Sequence, residues 1–165
     1  MPTEPSPSSP STAPTASGEI EIDAPAERVY ALVSDPGVLA ELAGEYAGHR
    51  WLGGATAARP GARFRGRNRN GLRRWSTVAT ITEAEEGRRF AFDVTFGPIP
   101  VSRWQYDLEP SGDGCRVREV TWNRSPRWFR VLTSPFVGVR PDGRDERNQR
   151  NIAATLERLK ARAER

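Results

Sequence analysis

The chain is poor in the residues that build redox and metal chemistry. Among its 165 residues there is one cysteine, Cys115, and one histidine, His49. A lone cysteine closes no intrachain disulfide, and the count fits a reducing compartment, so a cytoplasmic protein is expected. A lone histidine with no Cys/His cluster around it gives no zinc site, and no metal is expected. Neither a phosphate-cradling G-x-x-x-x-G-K loop nor a dinucleotide G-x-G-x-x-G stretch occurs, so no cofactor is expected. No nucleophile elbow is present to make His49 the base of a triad. A run of about 18 apolar residues is also missing, and no membrane span is expected.

The first 17 residues contain no Leu, Ile, Val or aromatic residue and are dominated by Pro, Ser, Thr and Ala. Such a stretch does not bury enough apolar area to offset the entropy of ordering it, so residues 1–17 are expected to be a disordered tail. They also lack the apolar core of a secretory signal. Residues 18–165 suffice for one domain that buries roughly two thirds of its unfolded surface.

The formal net charge is +4, and Lys160 is the one basic residue that is not arginine. Arginine suits bidentate phosphate contacts; a GC-rich codon bias produces the same composition. Seven arginines lie between Arg59 and Arg74, and Arg63, Arg65, Arg67 and Arg69 alternate on one strand face beside Trp75. Such a stripe fits either a solvated outer face or a salt-sensitive surface for nucleic acid or anionic lipid. Interspersed acids favour the solvated face, and nucleic acid is not the expected partner.

The pattern begins with an alternating strand at 18–23, in which Ile20 and Ile22 share a face. Pro25 and Glu27 then open a helix over 25–34, proline for its helical φ and the carboxylate for the helix dipole. Asp35-Pro36 ends it, and Val38, Leu39 and Leu42 suggest a second short helix. A strand follows near 46–52. Residues 62–82 read as a hairpin turning at Asn70-Gly71, which sets Phe64 opposite Thr77, Gly66 opposite Trp75 and Asn68 opposite Arg73, with the Trp75 ring over Gly66. Phe90, Phe92, Val94 and Phe96 alternate on the next strand, and Trp104, Tyr106 and Leu108 on the one after. A tight turn at 111–114 leads into the last strand, where Cys115, Val117, Glu119 and Thr121 share a face. That makes seven strands. Residues 125–139 are apolar, interrupted by Pro126 and Pro135. A final helix over about 142–163 carries Ile152, Leu156 and Leu159 on its apolar stripe, with Asn148 one turn earlier.

The opening Gly18–Tyr30, the segment Gly61-Ala62-Arg63-Phe64-Arg65-Gly66, the segment Arg103-Trp104-Gln105-Tyr106 and the helix stretch Ala153–Lys160 together resemble the SRPBCC superfamily of START-related, Bet v 1-like and polyketide cyclase/dehydrase proteins. The resemblance implies a bacterial-type α+β protein with the helix-grip fold. In that fold a curved antiparallel seven-stranded sheet wraps a long C-terminal helix, two short helices follow strand 1, and a hydrophobic cavity lies between sheet and helix.

Strand parity points Phe64, Trp75, Phe90, Phe92, Trp104, Tyr106 and Ile152 at one interior. Those rings fit a closed core or a ligand pocket, and the resemblance tips the reading to a pocket. Glu119 is the sharpest single residue. Parity turns it inward, where an unpaired carboxylate is costly and its pKa rises, which suits a general acid or base. Asn68 and Asn148 are candidate hydrogen-bonding residues, and the Tyr106 hydroxyl is a candidate donor to a carbonyl. The segment containing Trp128, Phe129, Val131, Leu132, Phe136 and Val137 fits a lid, ordinary packing on a sheet edge, or an element lying on a membrane. The expected function is binding of a small hydrophobic or aromatic molecule. The alternatives are a cyclase/dehydrase-like enzyme using Glu119 and Tyr106 on an enolisable carbonyl, and an anionic-surface or nucleic-acid binder acting through the arginine hairpin.

Overall fold

A computed structural model describes residues 13–165. The elements run β1 (Ala16–Ile22), α1 (Ala26–Val33), α2 (Pro36–Leu42), β2 (Tyr46–Leu52), β3 (Arg63–Asn70), β4 (Arg73–Glu85), β5 (Arg89–Phe96), β6 (Ile99–Ser111), β7 (Gly114–Asn123), α3 (Arg127–Val137) and α4 (Arg144–Ala163). The seven strands form one antiparallel sheet in the order β1-β7-β6-β5-β4-β3-β2. Register shifts mark bulges in β2, in β4 and, opposite Val94 and Thr95 of β5, in β6; bulges bend strands and increase twist. The concave face closes on α4, whose Ile152, Leu156 and Leu159 are buried with Val29, Val33, Phe90 and Val117. This is the helix-grip arrangement.

Local chemistry places the short elements. The Asp35 carboxylate accepts hydrogen bonds from the amides of Gly37 at 2.8 Å and Val38 at 3.3 Å, capping α2, and Pro36 fills its first position. At Gly18, β1 passes so close to α4 that a Cβ would stand 2.7 Å from Ile152 Cγ2 and 3.1 Å from Leu156 Cδ1. Any larger residue there would have to push Ile152 aside.

Four expectations are corrected. The first strand begins at Ala16, which is buried, and the Thr15 amide and hydroxyl both donate to the carbonyl of Thr121. Residues 13–17 thus belong with the domain, while residues 1–12 of the expected tail lie outside the described residues.

The β3–β4 hairpin turns at Gly71-Leu72, one position later than Asn70-Gly71, and pairs Phe64 with Ala79, Gly66 with Thr77 and Asn68 with Trp75. Gly71 has φ +61° and among the described residues only glycines have a positive φ, so glycine takes the first central position. A turn of that kind needs a positive φ only there, whereas Asn70-Gly71 would have needed it twice. The register moves by two residues, so the facing of every side chain survives.

Gly66 is covered by the Tyr46 ring, within 3.2 Å of where a Cβ would stand, and not by Trp75. Finally, Pro126 and Pro135 do not break the 125–139 segment. It forms α3, with Pro126 just before the helix and Pro135 in its last turn. The hairpin supports that end: Arg73 Nε donates to the Pro135 carbonyl at 3.1 Å and Asn70 Nδ2 to the Val137 carbonyl at 2.9 Å. Gly138, at φ 72°, closes the helix.

Candidate functional site

Between the concave face, α4 and α3 lies a cavity of about 410 Å³. Sheet alternation supplies most of the wall. β3 contributes Phe64, Gly66 and Asn68; β4 contributes Trp75, Thr77 and Ala79; β5 contributes Phe92, Val94 and Phe96. Ser102, Trp104 and Tyr106 of β6 and Glu119 of β7 continue it, and Asn148, Ile152 and Thr155 of α4 form the opposite side. Of the ten residues singled out from the sequence, nine therefore border one cavity.

Phe90 does not. It is fully buried in the core beneath Phe92, with ring centroids 5.6 Å apart. Its parity is that of Phe92, but along β5 it lies nearer the closed end, where Val29 and Val117 leave no space.

The cavity wall holds a buried acid–phenol pair. Tyr106 and Glu119 are direct partners across β6 and β7, and Tyr106 Oη donates to Glu119 Oε1 at 2.8 Å. Glu119 is 3% exposed and forms no ion pair among the described residues. Burial pushes its carboxyl up to about 8, against a smaller downward pull from the Tyr106 hydrogen bond. Burial, and then the neighbouring carboxylate, raises the Tyr106 phenol as well. At neutral pH Glu119 is thus mostly a neutral acid. Since Oε1 accepts from Tyr106, the proton belongs on Oε2.

Glu119 Oε2 and Tyr46 Oη are the two buried side-chain atoms without a hydrogen-bond partner among the described residues, and both residues border this cavity. Unsatisfied buried groups cost about 1–3 kcal/mol each, so a pair of them beside one cavity points to a partner that enters it. The Tyr46 phenol is held well above its ordinary range by burial and then by the charge of Asp35.

The mouth is charged and tied together. Glu45 accepts from Arg144 Nη1 at 3.0 Å and from Arg147 Nε at 2.5 Å, and Arg147 Nη2 also reaches Asn70 Oδ1 at 2.9 Å. Arg130 of α3 borders the cavity and donates to the carbonyls of Ser125 and Pro141. Phe129, Thr133 and Val137 turn from α3 into the cavity, with the Phe129 ring 5.8 Å from Phe96. The sequence offered the α3 segment as a lid among three readings without choosing its inward residues, and it did not place Tyr46 in the wall. Their spacing of four residues, and the alternation of Tyr46 with His49 and Trp51 across a bulge, were the available signals.

His49 packs edge-on against Trp51 and Phe64 and does not border the cavity. Arg63, Arg65, Arg67 and Arg69 are exposed on the sheet's other face. Among the described residues no group of three or more His, Cys, Asp or Glu could hold a metal ion, and no helix is long and apolar enough to cross a membrane.

Fold and cavity together define a helix-grip protein of the SRPBCC superfamily. More narrowly, the chain belongs to the polyketide cyclase/dehydrase and lipid transport family, whose pattern matches residues 13–164. A polyketide-cyclase-like protein of Corynebacterium glutamicum is 27% identical, with 94% of this chain and 92% of that one covered and a TM-score of 0.56. A Chromobacterium violaceum protein is 18% identical over 90% of this chain and 96% of its own, with a TM-score of 0.65. The di-domain ARO/CYC protein StfQ of the steffimycin biosynthetic pathway is 12% identical, with a TM-score of 0.67; the match covers 90% of this chain and 49% of that one. At such identities the last two speak for the fold. No curated protein matches the chain.

Proposed function

We propose that the protein binds a small hydrophobic or aromatic molecule carrying at least one oxygen acceptor in the cavity between the sheet and α4. The observation that carries this reading is the coincidence of Glu119 Oε2 and Tyr46 Oη, both buried and unpartnered, beside one largely apolar cavity. Phe64, Trp75, Phe92 and Trp104 supply ring faces for an aromatic guest, Ile152 the opposite wall, and Asn68 and Asn148 further polar contacts. The protonated Glu119 carboxyl donates to a guest carbonyl, and Tyr106 holds that carboxyl in place.

The test is titration with a panel of aromatic ketones and quinones, followed by tryptophan quenching and native mass spectrometry. A saturable one-to-one complex is expected in the wild type and its loss in Ala79→Phe, which fills the cavity. Equal affinity in both proteins would overturn the reading.

One observation favours a second reading, an enzyme acting on an enolisable carbonyl compound. A neutral carboxyl with a pKa near neutrality, backed by a phenol, is equipped to move a proton at a carbonyl oxygen. Glu119→Gln keeps the shape and removes the transferable proton. Under this reading, conversion of a poly-β-keto substrate falls by about 10²–10⁴ in that variant while binding persists. Conversion unchanged in the variant would remove Glu119 from the chemistry.

A further inference from the structure

α3 is apolar on two sides. Phe129, Thr133 and Val137 face the cavity; Trp128, Val131 and Leu132 do not border it and are 59%, 47% and 63% exposed, and Phe136 stands at the rim, bordering the cavity while 70% exposed. With Pro135 they recur at the i, i+3, i+4, i+7, i+8 spacing of one helix face. No residue of this helix is buried, so ordinary core packing does not account for its composition. Beside its C-terminal end is the β3–β4 turn, tied to α3 through Arg73 and Asn70, and there Leu72 is 97% exposed. A monomer with no use for this face would not place five large apolar side chains in solvent on two adjoining elements.

Charge indicates what covers them. Arg69, Arg73 and Arg74 at the hairpin end and Arg140 after α3 are exposed and have no ion pair among the described residues. The nearby acids are already engaged, Asp142 by Arg127 and Glu45 by Arg144 and Arg147. On the other half of the sheet's outer face, by contrast, Arg103 is matched by Glu83 and Asp93, and Arg89 by Asp107. A second copy seated on this face about a two-fold axis would bring arginines to arginines. The N-terminal residues 1–12, with Met1 as their one large apolar side chain, supply no apolar cover.

We propose that the outer face of α3 and the β3–β4 turn form a docking surface for an anionic lipid bilayer. The apolar side chains enter the headgroup boundary and the unpaired arginines meet lipid phosphates. α3 is then both a wall of the cavity and the membrane contact, so a hydrophobic guest passes between lipid and cavity at this helix. The docking itself does not depend on what the cavity holds.

The experiment is co-sedimentation of the full chain with vesicles of phosphatidylcholine alone or mixed with phosphatidylglycerol, at low and high salt. Binding to the mixed vesicles is expected to exceed binding to neutral ones by about tenfold or more and to weaken with salt. A blue shift of tryptophan emission on binding should be absent in Trp128→Phe. Leu72→Ser with Leu132→Ser is expected to lower vesicle affinity about tenfold, with circular dichroism unchanged because both positions are exposed. Arg69→Gln with Arg74→Gln should flatten the salt dependence. No preference for anionic vesicles, or equal binding by the leucine variant, would overturn the proposal. So would a concentration-dependent dimer that the same leucine variant abolishes, since the face would then be a self-interface. Uptake of an aromatic guest without vesicles is measured in parallel, so failure of docking and failure of the cavity reading are told apart.

Discussion

Tyr106 donates its hydroxyl hydrogen bond to Oε1 of Glu119, its direct cross-strand partner, and leaves Oε2 with no partner beside the cavity. One bond thus decides where the carboxyl proton resides and which oxygen is offered to a guest. The pair is held by two adjacent strands joined by a two-residue turn, so it is rigid without help from any loop.

The Glu119 carboxyl titrates near 8 when folded and near 4.5 when unfolded. The folded state therefore holds the extra proton between those values, and stability falls as pH rises through that window, by at most about 1.4 kcal/mol per pH unit. Above it, the ionised group destabilises by a constant amount. Chemical unfolding of the wild type and Glu119→Gln at about pH 5 and about pH 9 checks this. The variant should gain relative to the wild type at the higher pH, and a constant difference between the two would refute the raised pKa.

Gly18→Val tests the contact between β1 and α4. The added side chain meets Ile152 and Leu156, both buried, and must displace them from their packing. A loss of about 1–3 kcal/mol is expected from urea unfolding. Gly54→Val, with nothing within 4 Å of its Cβ position, is the control for space alone and should cost only the strain of its positive φ.

Truncation separates tail from domain. Removing residues 1–12 should leave the thermal midpoint unchanged, because those residues hold almost no apolar area. Removing residues 1–17 takes away Ala16 and the Thr15 bonds to Thr121 and should lower it by several degrees. Equal midpoints for the two truncations would show that the start of β1 contributes nothing.

Phe90 and Phe92 share a strand face but not a role. Phe90→Ala is expected to cost about 3–5 kcal/mol, the range for removing a buried ring. Phe92→Ala enlarges the cavity, so it should cost less stability and change guest affinity more. Differential scanning calorimetry and ligand titration on both variants decide the point. A larger affinity change in Phe90→Ala would reverse the assignment.

Much of the site was legible because strand parity tolerates error. The turn of the arginine hairpin lies at Gly71-Leu72, yet a register moved by two residues keeps Phe64, Asn68 and Trp75 facing inward. The Tyr106–Glu119 pairing was also within reach: the tight turn Gly112-Asp113, counted back along both strands, sets these residues opposite one another. The helix at 127–137 was obscured by Pro135, whose local signal is to break a helix. Arg73 and Asn70, more than 60 residues away in sequence, satisfy the carbonyls at that end, and no local pattern contains them.

By itself the sequence determined the seven strands, the long last helix and which residues turn inward, because alternation and helical spacing are properties of neighbouring residues. Only the tertiary structure decided how deep each inward residue lies. It put Phe90 in solid core and Phe92 on the cavity wall, left Glu119 Oε2 and Tyr46 Oη without partners, and exposed one face of α3 while turning the other to the cavity. Depth, partnering and a helix's second face depend on what the distant chain brings alongside. That is set by the curvature of the sheet around α4 and not by the run of residues within any one element.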